Sequence, residues 1–253
     1  MKEFATTTAC HPPRLILVER AERPEPCGHC DARKFSVCNA IGERDLARLA
    51  ALTTVVTIDP GQTFIAEGEP AGHFFNMTRG TAKLYKLLPD GRRQITGFGQ
   101  TGDFLGLAVS STYAFSAEAI TPVRACRFSR RKLTSLLDDF PAMERRLLEV
   151  ASNELVVAQA QMLLLGRKTA RERVASFLLA QRERARACYE PLDTIDLPMT
   201  RGDIADYLGL TIETVSRTLT KFKKDGLIGL PNYSSVTLTD DEGLQELAEG
   251  NVA

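Results

Sequence analysis

The residues best equipped for chemistry are crowded near the N-terminus, in Cys27-Gly28-His29-Cys30-Asp31-Ala32-Arg33-Lys34-Phe35-Ser36-Val37-Cys38. This C-x2-C-x7-C array sets three thiols within twelve residues. Thiolates are soft donors, and a tetrahedral zinc site or an iron–sulfur cluster takes four ligands, so one more is required. The chain offers Cys126, His29, Cys10 and Cys188. With His29 the array would make a zinc knuckle, and a pair of its cysteines could instead switch by forming a disulfide. Taken alone, Cys126 lies in a strand-like stretch, where a cysteine is more often a small buried hydrophobe than a ligand. Cys10, in an aperiodic arm, and Cys188, at a helix end, read as unliganded. No His follows Cys30, so the array is not a haem-attachment signature.

A second constellation lies near the other end. Thr200 reads as an N-cap opening RGDIADYLGLTIETVSRTLTKFKKDGLI, two helices around one sharp turn. Ile204 and Leu208 share one buried face, Ala205 is small where the second helix must cross, and Gly209 supplies a left-handed turn. In the second helix Val215 and Leu219 point inward. That leaves Glu213, Ser216, Arg217, Thr220 and Lys221 outside, with Thr211 and Thr214 at the helix start. Arg pairs bidentately with guanine O6 and N7, Glu accepts from cytosine N4, and Ser serves several bases, so this face suits the edges of double-stranded DNA. Lys221, Lys223 and Lys224 would meet phosphates. The bland alternative is a helical hairpin with a solvated charged face. It does not explain why the small residue, turn glycine, inward aliphatics and basic exit coincide.

These two sets need elements to hold them. From Val55 to Phe128 short alternating segments are cut by Pro60-Gly61, Glu67-Gly68, Arg79-Gly80, Asp90-Gly91 and Thr101-Gly102, the pattern of an antiparallel sandwich or roll. Residues 43 to 53 read as a short amphipathic helix. After Pro141 a helix of about 25 residues carries Leu148, Ala151, Leu155, Ala158, Met162 and Leu165 at alternating spacings of three and four, a heptad stripe. The stripe packs either on its own sheet or on the same helix of a second subunit. A further helix runs from Arg167 to Ala187, and the stretch from Gly226 to Leu238 reads as a two-stranded wing.

Lys plus Arg and Asp plus Glu number 32 each, so any surface for nucleic acid must be local. Arg217 to Lys224 carries four basic side chains in eight, while the chain from Asp225 onward has no Lys or Arg. No apolar run approaches the roughly 18 residues of a membrane span, and the start lacks the layout of a secretory signal, which predicts a cytoplasmic protein. Six cysteines are too few for a disulfide scaffold. The three His residues, at 11, 29 and 73, join no nucleophile–base set, and no G-x-S-x-G or P-loop occurs, so no enzyme is expected.

From about residue 25 onward, the Gly-turn roll, the long helix and Glu213-Thr214-Val215-Ser216-Arg217 occur in the order that resembles the CRP/FNR family of bacterial regulators. The fold this implies is α+β: an antiparallel β-roll of the cyclic-nucleotide-binding kind, a dimerisation helix and a winged helix-turn-helix. The implied divisions are an arm at 1–24, a cluster-binding segment and roll at 25–140, the dimer helix at 141–166 and the DNA-binding domain at 167–253. The E-x-x-S-R pattern is similar to the FNR-type head that reads TTGAT, and two such heads on a homodimer would read an inverted pair. The resemblance also implies RNA polymerase as a partner and control of genes of anaerobic or microaerobic metabolism.

It likewise implies a 4Fe-4S cluster on Cys27, Cys30, Cys38 and Cys126, whose loss in oxygen would shift the monomer–dimer balance. The x7 gap is longer than the x5 of the best-known FNR pattern and resembles a recognised subgroup. The alternative is a cluster-free regulator of the FixK type with zinc-bound or redox-active cysteines. Cyclic nucleotide is not expected. Gly102-Asp103-Phe104-Leu105-Gly106-Leu107-Ala108 is followed by Ser110-Ser111-Thr112, with no Arg until Arg124 to grip a phosphate.

Overall fold

Five reversals, at Gly61, Gly68, Gly80, Gly91 and Gly102, have φ between +82° and +98° and cut the first half of the chain into strands where the turn pairs predict them. At Gly80 the requirement is also steric, because a Cβ there would strike the carbonyl oxygen of Pro122. The computed structural model describes residues 27–107, 111–188 and 194–250. The expected arm with Cys10, and Ala108 and Ser110 of the loop, lie outside the described residues.

The strands are β1 (Thr53–Ile58), β2 (Thr63–Ile65), β3 (His73–Arg79), β4 (Ala82–Leu87), β5 (Arg93–Gly99), β6 (Phe104–Leu105), β7 (Ser116–Ala119) and β8 (Val123–Ser129). They form two four-stranded antiparallel sheets, ordered β1-β8-β3-β6 and β2-β7-β4-β5. Successive residues of β3 and β8 serve opposite faces, as the period of two demands. Phe75, Met77, Val123 and Ala125 fill the roll interior, whereas Phe74 and Phe128, directly paired across β3 and β8, face outward onto helices.

That outer layer is a second core. Leu46 and Leu49 of α1 (Leu46–Ala51), Leu133 and Leu136 of α2 (Arg130–Asp139), and Met143 and Leu147 of α3 (Pro141–Arg167) pack on Phe74, Phe104 and Phe128. The same core takes in Val37, Cys38 and Ile41 of the cysteine segment, which is folded as 3-10 turns over Asp31–Phe35 and Val37–Ala40. Helix α2 is an addition to the sequence reading, in which the helical half began at Pro141.

The C-terminal half comprises α4 (Ala170–Cys188), β9 (Thr194–Asp196), α5 (Arg201–Leu208), α6 (Ile212–Lys224), β10 (Ile228–Asn232), β11 (Ser235–Leu238) and α7 (Asp241–Glu249). The wing has three strands, β10-β11-β9, not two, because the segment before α5 pairs with β11. The acidic C-terminal stretch folds as α7, with Leu244, Leu247 and Ala248 buried. Val174, Phe177 and Leu178 of α4 join them, together with Ile95 and Phe98 from β5 of the roll. Fully burying one such large apolar side chain is worth about 1.5–3 kcal/mol. No helix among the described residues is long and apolar enough to cross a membrane.

Candidate functional site

The helix pair 201–224 is shaped by its ends. Thr200 accepts from Asp203 N–H while the Asp203 carboxylate accepts from Thr200 N–H, a capping box. Gly209 ends α5 at φ +62°, and Leu210 N–H then bonds Ala205 C=O. Thr211 caps α6 by accepting from Thr214 N–H, and the two hydroxyls are 3.1 Å apart. Inside the pair are Ile204, Ala205, Leu208, Val215 and Leu219, as expected, joined by Thr218 and Phe222.

Glu213, Ser216, Arg217, Thr220 and Lys221 are all exposed on the opposite face of α6, Thr211 is exposed at its start, and Thr214 is half-buried. Thr220 donates back to Ser216 C=O at 2.9 Å, and Arg217 Nε lies 3.4 Å from Glu213 C=O. The Glu213 carboxyl is held below its ordinary range by its own backbone N–H, then by the Thr211 hydroxyl and Arg217. It is therefore an acceptor at neutral pH, beside the guanidinium donor. Ser216, Arg217, Thr220, Lys221 and Lys224 line one open groove with Asp225. The side chains able to read bases lie toward the start of α6, and the phosphate-seeking lysines at its end.

A network that the sequence reading missed fastens α5 to the roll. Arg93 of β5 pairs with Asp203 at 3.0 Å and Asp206 at 2.7 Å, Lys83 of β4 reaches Asp203 at 3.5 Å, and Gln94 donates to Asp206 C=O at 2.7 Å. Phe98 and Tyr207 rings lie 5.4 Å apart beneath. Burial acts to raise the Asp203 carboxyl, but the Thr200 hydroxyl and N–H, Lys83 and Arg93 outweigh it and hold the group below its usual range. Breaking such a buried pair costs about 3 kcal/mol, so Asp203→Asn should lower thermal stability accordingly at neutral pH. A depressed carboxyl stabilises fully above its unfolded value of about 3.9, and the contribution fades as pH falls through the lower folded value. The gap between wild type and Asp203→Asn should therefore close in melts recorded below about pH 4.

Cys27, Cys30, Cys38 and Cys126 line a single pocket with Arg33, Leu49, Thr53, Asn76 and Phe128. None of the four is disulfide-bonded. The Ser36 hydroxyl accepts from Cys38 N–H, and Arg33 Nη2 bonds Ile41 C=O at 2.7 Å, closing the segment into its turns. Cys126 sits in β8 opposite Asn76 of β3 and Val55 of β1.

Burial pushes the Cys38 thiol up to about 12 against the opposing Ser36 hydrogen bond, and Cys126, Cys27 and Cys30 add to the rise. Burial likewise pushes Cys126 up to about 11, with Cys30 and Cys27 adding and Arg124 opposing. Thiols that resist ionisation, as Cys38 and Cys126 do, become good ligands once a cationic centre lies beside them, because metal charge inverts that preference. This donor set fits an all-cysteine iron–sulfur group. Among the described residues, no group of three or more His, Cys, Asp or Glu side chains is placed to hold a single metal ion. His29, the zinc-knuckle candidate, is exposed and lies outside the pocket lining. Cys188 ends α4, and Cys10 lies outside the described residues.

Of the expected stripe on α3, Leu148, Ala151, Leu155, Ala158 and Met162 are exposed, with Leu148 at 68%, Leu155 at 60% and Met162 at 70%. The helix meets its own chain instead through Met143, Leu147 and Leu164, so the alternative of the stripe packing on its own sheet is set aside. Leu165 departs from the other five. It is half-buried against the helix-turn-helix core, near Gly209. Val156, Val157 and Leu163 widen the exposed apolar strip beyond the stripe.

Residues 55–140 match the cyclic nucleotide-binding domain, and residues 172–247 match the Crp-like helix-turn-helix domain. The nitrogen fixation regulation protein FixK of Bradyrhizobium diazoefficiens is 43% identical over 236 residues, covering 93% of this chain and 98% of the relative. The transcriptional activator protein FnrL of Cereibacter sphaeroides is 39% identical over 227 residues, covering 88% and 91%. The solved structure of FixK2 from Bradyrhizobium japonicum superposes with a TM-score of 0.72 at 37% identity, over 77% of this chain and 96% of that one. Near-complete overlap at this identity, with both domains in order, places the chain in the Crp/Fnr family of transcription regulators, DNA-binding proteins rather than enzymes.

Proposed function

We propose that this regulator binds an inverted repeat of TTGAT type as a homodimer, activates transcription through RNA polymerase, and does so while Cys27, Cys30, Cys38 and Cys126 hold an oxygen-labile 4Fe-4S cluster. The observation that carries the reading is the meeting of the four thiols in one pocket, three from a local array and one from β8. When bound, such a cluster supplies an inorganic cross-link that oxygen can destroy. The chain's own residues provide the coupling. The turn bearing Cys38 shares a core with Met143 and Leu147 at the start of α3, so the order of residues 27–41 bears on the helix whose stripe is exposed. Specific binding needs both half-sites, so a modest change in dimer stability becomes a large change in occupancy. Names among the relatives, FnrL and transcriptional activator proteins, agree with this reading.

Cyclic nucleotide is not the signal in this reading, despite the match to that domain. The roll interior is filled by Phe75, Met77, Leu105 and Tyr113, with Phe64 and Phe75 rings 5.3 Å apart. Among the described residues, a phosphate placed there would meet these apolar side chains and not a cation.

A second reading, favoured by the 43% identity to FixK, keeps the DNA-binding dimer and gives the cysteines no cluster. Purification without oxygen separates the two. The cluster reading predicts about four irons and four sulfides per chain, a broad visible band that bleaches in air, and loss of both in Cys126→Ala. Colourless protein containing zinc or no metal would overturn it.

A further inference from the structure

Two buried polar atoms among the described residues lack hydrogen-bond partners at the same place. Asn76 is 1% exposed and its Oδ1 accepts from nothing; Arg33 Nε is also buried and unpaired. Both residues line the four-cysteine pocket. Unpaired buried polar atoms are costly, so two in one pocket point to a partner that the protein atoms alone do not supply.

We propose that Arg33 and Asn76 form the hydrogen-bonding wall of the cysteine centre, donating N–H groups to its sulfurs and thereby setting its reduction potential and its lifetime in air. The inference rests on the cluster reading above and deepens it.

The placement supports this for each residue. Asn76 and Cys126 are direct cross-strand partners in β3 and β8, so their side chains project from the same face with Cβ atoms about 5 Å apart. Thiolate and sulfide sulfurs only accept hydrogen bonds. The carboxamide satisfies itself beside them by presenting Nδ2–H, a half-turn of its terminal torsion. Arg33 is held from behind, with Nη2 on Ile41 C=O at 2.7 Å, which leaves the Nε–H edge as its unspent donor. It also brings a permanent positive charge to a site of four thiolates. Hydrogen bonds to sulfur and net charge are two of the factors that set an iron–sulfur potential, and both act here in the direction that resists oxidation.

The test uses full-length protein isolated without oxygen, with iron and sulfide content, midpoint potential, rate of bleaching in air and melting temperature recorded for each variant. Asn76→Leu removes the amide while keeping the branched heavy-atom skeleton, and Arg33→Gln removes the charge. Arg33→Lys keeps the charge without the planar fork. The expected result is iron content near wild type in Asn76→Leu, a more negative potential, and bleaching about tenfold faster, in keeping with other outer-shell losses. Arg33→Gln should shift the potential the same way, and Arg33→Lys less. A purely structural role would lower melting temperatures while leaving the potential and bleaching rate of the iron-loaded variants unchanged, which overturns the proposal. Wild-type protein without iron is a different result, visible before any variant is made, and overturns the cluster reading along with this one.

Discussion

Arg217→Ala is expected to abolish selective binding to a TTGAT-type inverted repeat while leaving residual non-specific affinity for DNA. Arg217 stands on the outer face of α6, away from the buried row of Val215, Thr218, Leu219 and Phe222, so truncating it leaves the core intact. A bidentate arginine–guanine pair is worth about 1–3 kcal/mol of discrimination. A two-fold dimer makes the contact twice, giving about 2–6 kcal/mol, or about 30-fold to more than 10,000-fold in affinity. Lys224→Ala should behave differently. Its place at the end of α6 suits phosphate, so its loss should weaken the repeat and a scrambled duplex alike and flatten the salt dependence by about one unit per contact. Fluorescence anisotropy on both duplexes across a salt series makes the comparison. Equal losses on the two duplexes for Arg217→Ala would show that it touches backbone rather than bases.

Residues close in sequence carried most of what could be read before the fold was known. The helix-turn-helix was legible because its determinants, Thr200, Ala205, Gly209, Val215 and Leu219, lie within twenty residues and each answers a local steric demand. The roll was legible from turn glycines that all take positive φ. The fourth cysteine was not legible from spacing: Cys126 is far from the array in sequence, and only the family resemblance singled it out before β8 brought it to the pocket. The Arg93–Asp203 clamp was missed for a related reason. Its partners are 110 residues apart, and each looks like an ordinary surface charge until the sheet and helix meet. Helix α7 was not read because the stretch from Asp225 onward registered only by its lack of Lys and Arg, although Asp240, Asp241 and Glu242 are the N-cap and first-turn acids a helix start favours. Strand β9, three residues long, carries too short an alternation to register.

The stripe on α3 gives a result of comparable size. In Leu155→Glu the chain should fold as before, since Leu155 is 60% exposed within one subunit, but it should sediment as a monomer. On a parallel two-fold helix pair a stripe residue faces its own copy, so one substitution introduces two carboxylates across the axis. Each subunit also forfeits the burial of a leucine, about 1.5–3 kcal/mol apiece, before any repulsion is counted. Two like charges about 5 Å apart in a partly dry seam add about 3 kcal/mol at an effective dielectric of 20. The sum, about 6–9 kcal/mol, would raise the dimer dissociation constant by at least 10,000-fold. Binding to the inverted repeat should fall with it, because a lone subunit reads one half-site and forgoes the second. Glu149→Gln, an exposed change on the same helix in an ion pair with Arg146 at 2.7 Å, should leave association unchanged. Analytical ultracentrifugation of both variants distinguishes the outcomes. A Leu155→Glu protein that stays dimeric would mean that subunits meet elsewhere, and coupling from the Cys38 turn through Met143 and Leu147 to the DNA-reading heads would then need another route.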